Sequence, residues 1–458
     1  MSSLSSATLN PNQQRSRMVQ PEKSNLRVLL VAEACNPEMI SVPLEGWSHS
    51  TAIADLPQVD GLIVTQVRNR EAILATGRQE PADFVAIDTE KVAVPAWKLA
   101  NAVRGGANKG WTTVAAIRSI TYPYFESKIW KQFGGQIRGG EFDVVHRLTP
   151  LSPTTSSLLA RKCRQANVPF ILGPLNGGVP WPREFDSARR REREWLSYVR
   201  DGYKLLPGFK QTRKNSSAII IGSQDTWKQM PARYHEKCIY IPENGIDPAR
   251  FTHRRQRHTE GPLRIVFVGR LVPYKGAHLL IESAAQLMRD GKATLTIVGD
   301  GPEMARLKEI AEREQVQSQV EFVGRVPHQQ VQQHLIESDL FAFPSIREFG
   351  GAVALEAMAV GLVPLVVRYG GLAELVTEET GFFAEIGSRD AIVDSFRDTL
   401  ERVVADRELI ESRTKPAIRR ASEQFSWQAK AQQVREVYRW VVGQRTEKPD
   451  WGMPLAQL

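Results

Sequence analysis

The sequence predicts an α/β protein: two Rossmann-like, doubly wound parallel-sheet domains facing each other across a cleft. Three observations predict it. The chain has 458 residues, more than one hydrophobic core usually serves. Its two halves repeat a single grammar of short β-branched apolar run, polar turn and helical period. Those runs are apolar throughout instead of alternating, as strands buried on both faces require.

Residues 1–25 are polar and lack the apolar centre of a signal peptide, so a disordered tail is expected there. The first domain, residues 26–245, offers strands at LRVLLVA (26–32), GLIVTQV (61–67), FVAI (84–87), FDVVH (142–146), VPFIL (168–172) and SAIIIG (217–222). A stretch rich in proline, glycine and charge supplies a linker over 246–262. The second domain, 263–425, continues with RIVFVG (264–269), TLTIVG (294–299), QVEFVG (319–324), LFAFPS (340–345) and LVPLVV (362–367). After its first strand Leu280, Ala284, Leu287 and Met288 share one helix face, and Gly291 stops that helix. A last helix, 426–445, carries Trp427, Ala431, Val434, Tyr438 and Val441 on one stripe, with Ser426 as N-cap and Gly443 as terminator. Residues 446–458 are expected to form a loose tail.

Composition narrows the function classes. With 42% apolar and 24% charged residues the chain is of ordinary globular type, and no apolar run approaches the ~20 residues that span a bilayer. Cys35, Cys163 and Cys238 are too scattered for a metal site or a disulfide framework, which fits a reducing cytoplasm. The net charge of +9 gathers in patches such as 188–204 and 249–258. Each patch reads as solvated surface, or as attraction to a phosphorylated substrate or to anionic lipid at the inner membrane face. No aromatic-interleaved basic stripe speaks for nucleic acid.

Open α/β sheets bind ligands beyond the carboxyl ends of their strands, which directs attention to three loops. In VGRLVPYKG (268–276) a strand ends at Gly269 and two cations follow, Arg270 and Lys275, able to neutralise a diphosphate; two solvated loop cations would look the same. IVGDGP (297–302) has the first two glycines of a dinucleotide fingerprint but Met304 where the third belongs, and reads as a tight structural turn. In REFGGAVALEAMAVG (347–361), Gly350 and Gly351 let backbone N–H groups approach a ligand at the start of a helix, where phosphate is favoured. Glu348 precedes that helix and Glu356 sits on it among apolar residues. A capping carboxylate and a surface charge would explain each singly, whereas the hydroxyls of a sugar and a ribose would explain them together.

These stretches resemble the donor half of the retaining glycosyltransferases of family 4, which share the GT-B fold. The resemblance rests on Glu348 and Glu356 separated by seven residues, and on VGRL…KG, VGDGP, VEFVG, FPS, GGLAELV (370–376) and PENGID (242–247) in order. It implies an acceptor-binding first domain and a nucleotide-sugar-binding second domain. Arg270 and Lys275 would hold the diphosphate beside Gly269, Phe349 and the Gly350 and Gly351 amides; Glu348 would contact the transferred sugar and Glu356 the ribose. No other cofactor is implied; the nucleoside-diphosphate sugar is a co-substrate, and no D-x-D motif is present to carry a metal. On the acceptor side the match departs from the family pattern. Only Gly46 represents the glycine-rich loop after the first strand. His146, in FDVVHRLTPLSP, resembles the family's strand-end histidine and is expected to face the cleft. Asn176, in ILGPLNGGVPWP, stands where relatives carry a histidine and cannot take a proton; Trp181 and Trp195 nearby suggest a wall for an acceptor.

The resulting expectation is a metal-independent, retaining transfer to a glycan, lipid-linked or small acceptor. A sugar-nucleotide epimerase of the same fold and a non-catalytic nucleotide-sugar-binding protein are the alternatives. A dinucleotide-dependent oxidoreductase is disfavoured, because no acidic ribose reader follows about 20 residues after the VGDGP turn.

Overall fold

The computed structural model describes residues 25–92, 94–95, 111–182, 185, 207–258 and 260–455. The basic stretch 188–204, Trp195 and most of the amino-terminal tail lie outside the described residues.

In the first domain seven parallel strands form one sheet: β1 (Leu26–Ala32), β2 (Val59–Gln66), β3 (Phe84–Ile87), β4 (Val144–Thr149), β5 (Phe170–Leu175), β6 (Ala218–Ile221) and β7 (Cys238–Tyr240). Their order is β3-β2-β1-β4-β5-β6-β7. Among the described residues six α-helices intervene: α1 (Val42–Ala54), α2 (Arg70–Leu74), α3 (Trp111–Arg138), α4 (Leu158–Gln165), α5 (Pro207–Asn215) and α6 (Gln224–Gln229). β1, β4, β5 and β6 are almost wholly buried, which is why their sequences carry no polar alternation.

The second sheet has six parallel strands: β8 (Leu263–Val268), β9 (Ala293–Val298), β10 (Val320–Gly324), β11 (Leu340–Phe343), β12 (Val363–Arg368) and β13 (Phe382–Glu385). Their order is β10-β9-β8-β11-β12-β13. With them come α7 (Ala277–Arg289), α8 (Met304–Arg313), α9 (His328–Ile336), α10 (Ala352–Val360), α11 (Leu372–Leu375), α12 (Arg389–Ala405) and α13 (Glu408–Gln424). In each sheet the order reverses beside the first strand, between β1 and β4 and between β8 and β11, so each domain has one switch point where loops splay apart. The edge strands β7 and β13, three and four residues long, are the two that the apolar runs did not announce.

The last helix, α14 (Trp427–Val442), begins with the Ser426 side chain accepting from the Ala429 amide and ends at Gly443 in the left-handed region. Its apolar stripe belongs to the other domain: Ala431, Val434, Val437 and Tyr438 are buried against β1, β4 and α1. The chain therefore crosses between domains twice, and the crossings are tied together. Ile246 N–H donates to Phe425 O at 2.8 Å, and Trp427 N–H donates to Ile246 O at 2.9 Å.

Two expectations are corrected here. Residues 446–458 were expected to be a loose tail, but Leu455 is buried in the second domain's core and Trp451 packs against the cores of both domains. Lys448 also donates to Cys238 O at 3.1 Å. The patch 249–258 is not solvated surface throughout: Arg250, His253, Arg254 and Arg257 are exposed, but Arg255 is drawn in. Arg255 is nearly buried and binds Glu411 and Gly361 O, and Arg257 reaches Glu408. His258 meets Asp339 at 2.9 Å. These cations fasten the inter-domain segment to the second domain. The three cysteines are buried, and burial pushes the Cys35 and Cys238 thiols up to about 12. Among the described residues no helix is long and apolar enough to cross a membrane.

Candidate functional site

On the second domain the site grows from loops that leave β8 and β11 at the switch point. The β8 loop is shaped by close backbone approaches that only glycine allows. A Cβ on Gly299 would lie 1.9 Å from Gly269 O, one on Gly301 2.3 Å from Leu271 O, and one on Gly276 2.2 Å from Pro344 O. The VGDGP turn is thus a support for the 269–276 loop, as the structural reading of its glycines expects. Gly276 also adopts φ +76°, open to glycine at little cost. The loop after β11 is joined to it: Ile346 N–H donates to Tyr274 O at 3.0 Å.

This stitching brings together Lys275 and Glu348, which form a close, largely buried ion pair. The Lys275 ammonium also lies 5.0 Å from the Phe343 ring centroid. Glu348 is anchored through its backbone, its carbonyl accepting from Gly371 N–H at 2.9 Å. A Cβ on Gly371 would meet Phe349 O at 1.8 Å. The GGLAEL segment is therefore the floor beneath Glu348 and Phe349. Gly350 and Gly351 precede α10, with Gly351 as its N-cap at φ +64°, so the helix's first amides point toward the same space. Arg270 is exposed at the rim, and its guanidinium makes no hydrogen bond or ion pair among the described residues. Glu356 lies further along α10, half-buried; Gly269 is half-buried at the end of β8. Among the described residues no cluster of three histidine, cysteine or acidic side chains could hold a metal.

The first domain presents a different picture from the one expected. His146 does not face the cleft. It is fully buried in β4, its Nε2 paired with Gly173 O at 2.7 Å and its Nδ1 with the Tyr438 hydroxyl at 2.7 Å. A carbonyl can only accept, so Nε2 carries the proton and Nδ1 accepts from Tyr438. Burial drives its pKa down to about 3, and this neutral imidazole bolts α14 to the sheet. Gly46 is not part of a loop either. It lies within α1, where a Cβ would come 2.0 Å from Ala34 O, so it serves helix-to-loop packing.

Asn176 does stand at the carboxyl end of β5, half-buried. Its Nδ2 donates to Glu243 at 2.7 Å, and its Oδ1 accepts from Gly178 N–H at 3.0 Å. The loop that follows reaches the second domain directly. Arg347 Nε donates to Val179 O at 3.0 Å and the Tyr369 hydroxyl donates to Pro180 O at 3.1 Å. Trp181 packs edge-on to Tyr274, next to Lys275. A second tie lies deeper: the Tyr240 hydroxyl donates to Glu374 at 2.6 Å and Gln224 N–H donates to its other oxygen at 3.0 Å. Burial pushes Glu374 up to about 7, against the lowering effect of these two bonds. Sequence reasoning named PENGID and GGLAELV only as matching segments. It missed Glu243 and Glu374 as individual residues, and nothing local marks either one out.

Residues 249–415 match the family profile described as glycosyl transferases group 1. A glycogen synthase of Mycobacterium tuberculosis is 32% identical over 222 residues, covering 48% of this chain and 52% of that protein. A putative colanic acid biosynthesis glycosyltransferase of Salmonella typhimurium is 29% identical over 284 residues, covering 54% and 68% respectively. The chain spans about half the length of the first of these relatives. Among solved structures, Anabaena Alr3699/HepE in complex with UDP superposes with a TM-score of 0.56 at 17% identity, over 90% of this chain and 99% of that one. The sucrose-phosphate synthase of Thermosynechococcus elongatus gives 0.56 at 15% identity, over 91% and 99%. Together with the two facing parallel sheets, these likenesses identify the fold as GT-B.

Proposed function

We propose that the protein is a retaining glycosyltransferase, moving a sugar from a nucleoside-diphosphate sugar to a hydroxyl of a glycan, a lipid-linked or a small acceptor. The observation that carries this reading is the meeting of Lys275 with Glu348 beneath the amino-terminal end of α10, on the loop that also carries Arg270 and inside the segment that matches the glycosyl transferases group 1 profile. Lys275 and Glu348 neutralise each other as they stand. On donor binding Lys275 turns to the diphosphate, and Glu348 is released to accept from sugar hydroxyls. Glu356 then serves the ribose. As the bond from the anomeric carbon to phosphate oxygen breaks, its electron pair goes to the diphosphate. The acceptor oxygen forms the new bond to the anomeric carbon and gives its proton to the departing diphosphate oxygen. Lys275, Arg270 and the Gly350 and Gly351 amides stabilise the charge that grows on the leaving group, which lowers the barrier. Fixed cations in this reading do the charge compensation a metal supplies elsewhere.

The test is turnover against a panel of radiolabelled nucleotide-sugars, beginning with UDP-glucose because a neighbouring Anabaena structure is described with it. Transfer or slow donor hydrolysis is expected. Lys275→Ala and Arg270→Ala are each expected to lower kcat by about 100-fold or more, as loss of a transition-state donor does. Unaltered rates in both variants would defeat the assignment. Binding without turnover would favour a non-catalytic nucleotide-sugar-binding protein, the reading that Asn176 in place of a histidine supports; a donor whose sugar is inverted at one carbon would favour an epimerase. The proposed reaction is cytoplasmic; the lipid-linked acceptor class requires contact with the membrane face, and flotation with anionic vesicles that recovers no protein would remove that class.

A further inference from the structure

Below the carboxyl end of the first sheet is a cavity of about 10 Å³, room for one water-sized molecule, lined among others by Glu45, His49, Thr149, Pro174 and Glu243. Three polar atoms there are buried without a hydrogen-bond partner: Oε2 of Glu45, Oε2 of Glu243 and Nε2 of His49. Lys430, fully buried on α14, donates to Pro242 O and faces both carboxylates. The remaining oxygen of Glu243 accepts from Asn176 Nδ2 at 2.7 Å.

Two carboxylates and one ammonium in a buried pocket are electrically balanced when the carboxylates share a single proton. Burial pushes Glu45 up to about 7 and Glu243 well up, and brings Lys430 down to about 7. Glu374 on α11, when ionised, adds its charge to the field at Glu243. Nothing in the core of a doubly wound domain requires this arrangement. What it touches is the Asn176 amide, and the loop from Asn176 runs on to contact the donor-side residues Tyr274, Arg347 and Tyr369.

We propose that Glu243 is a positioning residue for the acceptor side of the reaction: it aims the Asn176 amide at the cleft end of β5, and Lys430, on the helix that returns from the second domain, balances its charge without bonding to it. The inference deepens the transferase reading and rests on it for its kinetic test. Glu243→Ala is expected to lower kcat by about 10- to 100-fold with donor KM within about threefold, because the donor contacts lie on the other domain. In Glu243→Gln an amide oxygen still accepts from Asn176 Nδ2, so kcat recovers at least severalfold over the alanine variant. Alanine and glutamine variants that fall equally, or an alanine variant that keeps its kcat, would overturn the proposal. Crystal structures of the two variants give a readout without turnover. The Asn176 amide is expected to turn away in Glu243→Ala and to stay in Glu243→Gln, and an unmoved amide in both overturns the proposal. If the wild-type chain processes no donor in the panel, the transferase reading fails while the amide orientation still decides the role of Glu243.

Discussion

Replacing Gly350 with alanine tests whether the donor loop is set from across the domain boundary. A Cβ built on Gly350 lies 1.7 Å from Nδ2, 2.7 Å from Cγ and 2.9 Å from Oδ1 of Asn244. Ordinary contact needs ~3.5 Å, so one of the two groups must move by nearly 2 Å. Asn244 has little room to retreat. It is 5% exposed, Glu243 before it is held by Asn176, and a Cβ on Gly245 after it would press on the Trp427 ring at 2.8 Å. The 348–351 loop is therefore expected to yield, carrying Glu348 away from Lys275. A displacement of ~1 Å at a reacting centre costs about 100-fold in turnover. The overpacking itself costs about 1–3 kcal/mol of stability. The assay is steady-state kinetics with the donor the panel selects, alongside calorimetric binding of the corresponding nucleoside diphosphate and a urea melt. Gly135→Ala is the control. It sits exposed within α3 with no heavy atom within 4 Å of its built Cβ, and it should leave kinetics unchanged while gaining up to ~1 kcal/mol. A Gly350→Ala protein with kcat/KM within about threefold of wild type would refute the reasoning, since a loop indifferent to that clash is not positioned by Asn244.

Two further outcomes are expected. His146→Phe leaves the Tyr438 hydroxyl and Gly173 O unpaired in the core, at roughly 1–3 kcal/mol for each, read from the urea midpoint; a large loss of kcat in fully folded protein would return His146 to the chemistry. Glu374, with its pKa raised to about 7 in the folded state, holds a proton there that the unfolded chain gives up above the ordinary value of 4.5. Its contribution to stability is thus intact at low pH and declines as pH rises from about 4.5 to 7, by at most ~1.4 kcal/mol per pH unit. Glu374→Gln lacks this term, so its stability relative to wild type should increase across that window, and parallel curves would contradict the assignment.

Much of the fold was legible because its signals are local. A buried parallel strand must be apolar along its whole length, and a helix lying on a sheet must repeat its apolar residues every three to four positions, so β8 and α7, or α14 with Ser426 and Gly443 at its ends, could be read directly. The loops of the candidate site were legible for a related reason. Glycines that permit a close backbone approach, and a pair of glutamates at fixed spacing before and within one helix, are short-range patterns. Burial and partnership are not. FDVVH gives no hint that His146 will meet Tyr438, 292 residues later, because that contact exists only once α14 has crossed back to the first domain. The same crossing draws Lys430 to Glu45 and Glu243 and makes a docked element of a tail that composition alone marks as loose. By itself, the order of residues determined which segments become strands and helices and where a phosphate-binding loop is chemically allowed. Tertiary structure alone decided which charges lose their water and which find partners, because desolvation and hydrogen bonding depend on neighbours brought from distant parts of the chain.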